Sequence, residues 1–255
     1  MTHQHAGRGS SRQQKVHNND PQSGNILLML LLAVGLLAAL FYLLTKPDEL
    51  TRLSSLEEEP VVSDSAPMME YPETLRPVLV RMTLDGTDVS QLKFNAPGNF
   101  SSVAADQLVF HPQGGGAEYK VPASEWLTEA SQGGLWYFNA NWDVPSVGTD
   151  GPGGNDIVAF LPGVSASVCL HANQELKLDT TGCASKAAGI PDLAKGVNTD
   201  NIRVQMDGDY TFPTTDQEDI QGEQCAVFTG AKAGCFNDTS RTPNEFVFYS
   251  VLLAR

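Results

Sequence analysis

Residues 25–44, NILLMLLLAVGLLAALFYLL, hold no charge and no proline. At about 1.5 Å of rise per residue such a run makes a helix of roughly 30 Å, the thickness of a bilayer's hydrocarbon core. A secretory signal has an apolar core of only about 7–15 residues and ends at a small-x-small cleavage site. This run continues into Phe41-Tyr42-Leu43-Leu44-Thr45-Lys46-Pro47, where no such site occurs. The sequence therefore predicts an uncleaved transmembrane helix over 25–44.

Flanking charge predicts its orientation. Arg8, Arg12 and Lys15 on the N-terminal side face only Asp20, whereas Lys46 and Arg52 are outnumbered by Asp48, Glu49, Glu57, Glu58 and Glu59. Positive-inside bias places residues 1–24 in the cytoplasm and the rest outside. Those first residues are rich in His, Gln, Ser and Asn, a composition that predicts a disordered tail. Within the apolar run, Gly35 and Ala39 form a small-xxx-small pair, a face that lets a second helix approach closely. Homo- or hetero-oligomerisation through this helix is the partner reading that follows.

The net charge is −14, and becomes −16 once the basic tail is set aside. Nucleic-acid binding needs Lys and Arg to neutralise phosphate, so this balance argues against it. The exported part is long enough for one domain with its own core. The chain's 23 Gly and 15 Pro gather toward that part and suit short strands and turns. Cys169, Cys183, Cys225 and Cys235 all lie there, and an even count outside the cytoplasm reads as two disulfides. With no CxxC and with only His111 and His171 nearby, no zinc module is formed.

Periodicity divides the remainder. Leu50, Leu53 and Leu56 suggest a short membrane-proximal helix, broken by the linker-like 57–67. Tyr71, Leu75, Val78, Leu79 and Met82 repeat at helical spacing, with a kink or late start expected at Pro77 and a C-cap at Gly86. From Val89 the period becomes two, and 107–121 reads as a β-hairpin around Gly114-Gly115-Gly116. Strands follow at 134–142 and 157–161, then a turn at Pro162-Gly163 and a helix carrying Val164, Val168, Ala172 and Leu176 on one stripe. After a long polar stretch, 179–223, the run 245–254 is expected to close the sheet. The expected fold is α+β: a transmembrane helix, then an exported domain with a mainly antiparallel sheet, a packed helix and two disulfides. Its divisions are 1–24 tail or leader, 25–44 transmembrane helix, 45–67 membrane-proximal helix and linker, and 68–255 exported domain.

Certain residues also resemble a known family when taken together. They are Gly24-Asn25 opening the apolar helix, Leu108-Val109-Phe110-His111-Pro112 with the glycine turn, and Leu161-Pro162-Gly163-Val164-Ser165 with Val168-Cys169 and Asn173. Gly234-Cys235-Phe236 and the run from Phe246 to Arg255 complete the set. The chain resembles single-pass, pilin-like bacterial envelope proteins, and more loosely type IV pilins and type II secretion pseudopilins. The resemblance implies an inner-membrane protein with a cytoplasmic N-terminus and a periplasmic or extracellular domain. It implies leader cleavage between Gly24 and Asn25. Pilins carry Glu at the fifth mature position; this chain has Met29, which fits a tip-type or non-polymerising relative, or an unprocessed anchor. For the cysteines the resemblance implies Cys169 with Cys235 and Cys183 with Cys225; the residues themselves allow two other pairings.

Chemistry-bearing motifs are sparse. Nucleophile elbow, HExxH, Walker loop and dinucleotide fingerprint are all absent from the sequence, so no catalytic residues are assigned. Asp207, Asp209 and Asp216 resemble the oxygen ligands of calcium sites in some pseudopilins, but their spacing is not that of an EF-hand loop, and a solvated acidic loop is expected. Trp136, Tyr137 and Trp142 form a candidate binding surface, set against the plainer expectation of core aromatics on a strand. The expected function is a non-enzymatic pilin- or pseudopilin-like component of a secretion or pilus apparatus. The alternative is a membrane-tethered module that binds a wall polymer or peptide.

Overall fold

A computed structural model of the chain describes residues 24–44, 65–100, 103–131, 134–150, 153–184, 186–215 and 218–255. The chain divides into two units, Met1–Glu57 and Glu58–Arg255. Helix α1, Gly24–Leu44, belongs to the first. Side chains are described there for residues 28–38, and all of these residues are exposed. This corrects the expected transmembrane helix: among the described residues no helix is long and apolar enough to cross a membrane. The described side chains cover about 16 Å of helix, roughly half of a hydrocarbon core. The tail at 1–23 and most of the expected membrane-proximal segment, 45–64, lie outside the described residues.

The second unit opens with α2, Ser65–Leu84, which begins inside the expected linker. Met68, Tyr71, Leu75, Leu79 and Met82 form its buried stripe, and both Pro72 and Pro77 lie inside it. Each proline removes one backbone donor from the helix. The helix nonetheless runs through both, because five apolar side chains are removed from water along one face, each worth roughly 1.5–3 kcal/mol. It ends as expected at Gly86, whose φ is +105°. The N–H of Thr87 donates to the Met82 carbonyl at 3.0 Å and that of Gly86 to Thr83 at 3.2 Å, a Schellman closure.

Among the described residues seven strands follow, with one further α-helix. They are β1 Tyr137–Asp143, β2 Asp156–Val164, α3 Ala166–Glu175, β3 Lys186–Ala187, β4 Ile190–Pro191, β5 Glu218–Asp219, β6 Ala233–Asp238 and β7 Glu245–Leu253. Five strands make one sheet in the order β5-β1-β2-β7-β6, and β3 pairs with β4 separately. All pairs in the main sheet are antiparallel except β1 with β5. The C-terminal strand β7 thus lies inside the sheet, between β2 and β6, rather than closing it. Alternation divides the strands between two cores. Phe138, Ala159, Leu161 and Phe248 face α2 and α3. Trp142, Val158, Phe160, Phe236 and Tyr249 face the long segment that carries Leu193, Ile202, Ile220 and Phe228. Covered on both faces, β2 is buried at every position.

Two sequence expectations fail locally. No hairpin forms at 107–121: residues 92–94 meet 107–109 in parallel, with an isolated bridge between Lys93 and Leu108. The glycine turn folds back instead, as Gly115 N–H donates to Leu108 C=O at 2.9 Å. A side chain on Gly115 would lie 2.8 Å from Val78 Cγ1 and 2.9 Å from Met82 Sδ, so this turn is packed against α2. The turn expected at Pro162-Gly163 is a bulge within β2, where the register shifts between Pro162 and Val164 and Gly163 has φ +83°.

Side chains cap parts of β6 and β1. Asn173 of α3 pairs its amide with both backbone groups of Cys235 on β6, each at 2.8 Å, as a neighbouring strand would. Along β1, Gln205 accepts from Phe138 N–H at 3.1 Å, and the Tyr210 hydroxyl accepts from Ala140 N–H at 2.9 Å. Disulfides then fix the coverings. Cys169 of α3 joins Cys235 of β6, with Cα atoms 5.4 Å apart. Cys183 joins Cys225, with Cα atoms 4.8 Å apart, across the polar stretch.

Candidate binding groove

A hollow in the second unit forms where the β2 bulge meets three loops. Residues 128–131 run beside Gly163, held by Thr128 N–H donating to the Gly163 carbonyl at 2.9 Å. A 3₁₀ turn, Thr199–Arg203, supplies the second wall; Asn198 caps it by accepting from Asp200 N–H. The β6–β7 turn, 239–244, supplies the third. Together they enclose about 650 Å³. A shallower hollow of about 320 Å³, lined by Leu135, Tyr137 and Pro162, shares Ala130, Ser131, Arg203 and Glu245 with it. The two are therefore one groove with Arg203 and Glu245 at the junction.

Its polar groups are held by one another. Arg203 Nη2 donates to Glu245 Oε2. Arg241 Nη2 donates to Asp200 Oδ1 at 2.7 Å, and its Nε lies 3.7 Å from Asp238 Oδ2. Asp238 Oδ1 in turn accepts from the N–H and hydroxyl of Ser240, at 3.0 and 2.6 Å. The Thr199 and Ser240 hydroxyls share a hydrogen bond of 2.5 Å. No histidine lines the groove to activate either hydroxyl. The arrangement can recognise a polar molecule by hydrogen bonding.

The aromatic candidates divide. Trp136 and Trp142 are 2 % and 0 % exposed, so they do not line a binding surface as the sequence had suggested. Trp136 packs on Tyr71 at 5.4 Å between ring centroids and on Phe248 at 6.3 Å; Trp142 packs on Phe160 at 5.7 Å. They are interior because β1 is covered on both faces. Tyr137, at the start of β1, is half-buried and lines the shallow end of the groove.

Of the calcium candidates, Asp209 N–H donates to Asp207 Oδ1 at 3.2 Å in a local turn, and Asp216 lies outside the described residues. Burial lowers the pKa of the Lys93 ammonium, and the charges of Asp207 and Asp209 oppose that shift. Among the described residues no group of three or more His, Cys, Asp or Glu is placed to hold a metal ion. Gly24 and Asn25 open α1, with side chains outside the described residues, as is that of Ala39. No atom lies within 4 Å of where a Gly35 side chain would start.

Two other polar sites were not visible in the sequence. Ser65 Oγ lies 2.6 Å from His171 Nδ1, and His171 Nε2 lies 3.7 Å from Glu175 Oε1. Ser65 is only 1 % exposed, so this chain of groups ties α2 to α3 rather than meeting a substrate. Asp156, fully buried at the start of β2, accepts from Val144 N–H and Arg255 N–H, each at 3.2 Å. Burial pushes its carboxyl up to about 7; the two hydrogen bonds oppose this, and Asp143 and Asp150 add to it. The groove itself had no local signature, since Arg203 lies far in sequence from Arg241 and Glu245. A local signal that could have found one wall is the Asn198-Thr199-Asp200 cap, which lay within the stretch 179–223 read only as polar. No family model, curated protein or solved structure matches the chain.

Proposed function

We propose that this chain is a non-enzymatic, pilin-like component of an exported assembly, and that α1 joins one copy to the next. The observation that carries this reading is the uncovered apolar face of α1. Its large apolar side chains between Leu28 and Leu37 are 55–71 % exposed. Leu28, Leu31, Leu32, Gly35 and Leu36 share one side of the helix, with the open position at Gly35 among the leucines. A second copy of the same face is complementary to it: the glycine admits a neighbouring backbone and the leucines fill the space around it.

Strand addition at β6 and β1 is disfavoured where side chains already hold backbone groups, at Cys235, Phe138 and Ala140. Two disulfides suit an oxidising, exported compartment. Pilin-type processing is tested by the mass of the purified N-terminus. A mature chain beginning at Asn25 supports it; an intact Met1 contradicts it. A second reading, an exported binding module for a wall polymer or peptide, is favoured by the polar groove rather than by the aromatic strand.

A further inference from the structure

We infer that the groove between the β2 bulge, the Thr199–Arg203 turn and the β6–β7 turn is a binding site for a neutral, hydroxyl-rich oligosaccharide. This rests on the reading of the groove as a ligand site and names the ligand class it fits. Size is the first argument. The main hollow of about 650 Å³ falls in the range of ligand sites, roughly 300–1,000 Å³, and the Tyr137 end lengthens it.

Charge is the second. The lining carries two guanidinium groups, Arg203 and Arg241, and two carboxylates, Asp200 and Glu245. The four lining charges cancel, so an anion finds no net positive field there. Asp238, buried behind Arg241, further disfavours an anion. What the pairs do offer is fixed donors beside fixed acceptors. The planar forks of Arg and carboxylate hold these at spacings suited to adjacent hydroxyls. The Thr199 and Ser240 hydroxyls add groups that can both donate and accept.

The third argument separates a sugar from a peptide. An extended peptide usually gains affinity by pairing its backbone with a sheet edge, and side chains already hold the backbone of Cys235 on edge strand β6 and of Phe138 and Ala140 on β1. A sugar needs no such edge. It takes side-chain hydrogen bonds together with an aromatic face, and half-buried Tyr137 supplies a ring at one end.

Calorimetric titration of the full chain tests this with maltotetraose, cellotetraose and N-acetylchitotetraose, and with tetragalacturonate and tetraglutamate as acidic comparisons. The expected result is saturable binding of at least one neutral tetrasaccharide. Tyr137→Ala and Arg241→Gln should each weaken it about tenfold, about 1.4 kcal/mol, while keeping the wild-type near-ultraviolet circular dichroism. If either variant loses that spectrum, Asn244→Ala at an exposed lining position replaces it. Binding of tetraglutamate or tetragalacturonate alone overturns the neutral oligosaccharide but leaves a ligand site. Binding of no probe overturns both, and so does sugar binding that these variants leave unchanged.

Discussion

Asp156 is a residue whose chemistry departs far from what its neighbours in sequence suggest. Its carboxyl is held up to about 7 against an ordinary 3.8, chiefly by burial. Below pH 4 it is protonated in both the folded and unfolded chain. Between pH 4 and 7 the unfolded chain releases this proton first, so the folded state binds more protons and stability falls as pH rises. Above pH 7 the loss is complete and levels off. The fall is roughly 4 kcal/mol at most. Asp156→Asn should remove it; denaturant titrations at pH 4.5 and 7.5 that show the wild-type difference persisting in the variant would contradict this. Asn173 gives a second residue-scale prediction. Asn173→Leu strips partners from a buried N–H and a buried C=O of Cys235 and should cost about 2–4 kcal/mol in the same titration. A cost below the resolution of the measurement would mean that the amide is not the strand substitute described above. Asp156 was not legible in the sequence, and Asn173 entered only through the family resemblance with no role, because each acts across a gap of many residues.

Elements were legible where one strong pattern decided them. The α2 stripe, the Ser165 start of α3 and the apolar run of β7 all follow from period and capping residues. The failures have a common physical cause. Residues 89–121 carry strand-like alternation, but α2 packs over them, and the turn at Gly114-Gly115 is pressed onto the backbone of Leu108 and Val109 rather than opening into a hairpin. Tertiary packing overrode local propensity there. Gly115→Ala should therefore loosen α2, not merely the turn. Hydrogen exchange is expected to quicken across α2 around Val78 and Met82; quickening confined to 111–117 would contradict this. Pro162-Gly163 failed in the opposite sense, since β7 on one side and an antiparallel bridge from Leu127 to Val164 on the other keep β2 extended through the bulge.

The whole molecule combines a disulfide-held mixed α/β unit with a separate apolar helix. Both bonds close long loops, with sequence separations of 66 and 42. In chain-entropy terms each is worth about 4 kcal/mol. Replacing Cys169 and Cys235 together by alanine should lower the denaturation midpoint markedly and free α3 from β6; an unchanged midpoint would show that packing alone holds that helix. The domain's α/β content was readable from its patterns, whereas the groove was not, because it is assembled from the ends of elements distant in sequence.

The central claim is that copies meet through the Gly35 face of α1. Among the described residues there are no free cysteines, so a single introduced thiol reports on its own surroundings. Oxidative crosslinking of full chains bearing Leu32→Cys, on that face, is compared with Leu37→Cys, on the opposite side of the helix. Disulfide-linked dimers several-fold more abundant for Leu32→Cys are the predicted result. Equal yields from the two positions, or none from either, would contradict it.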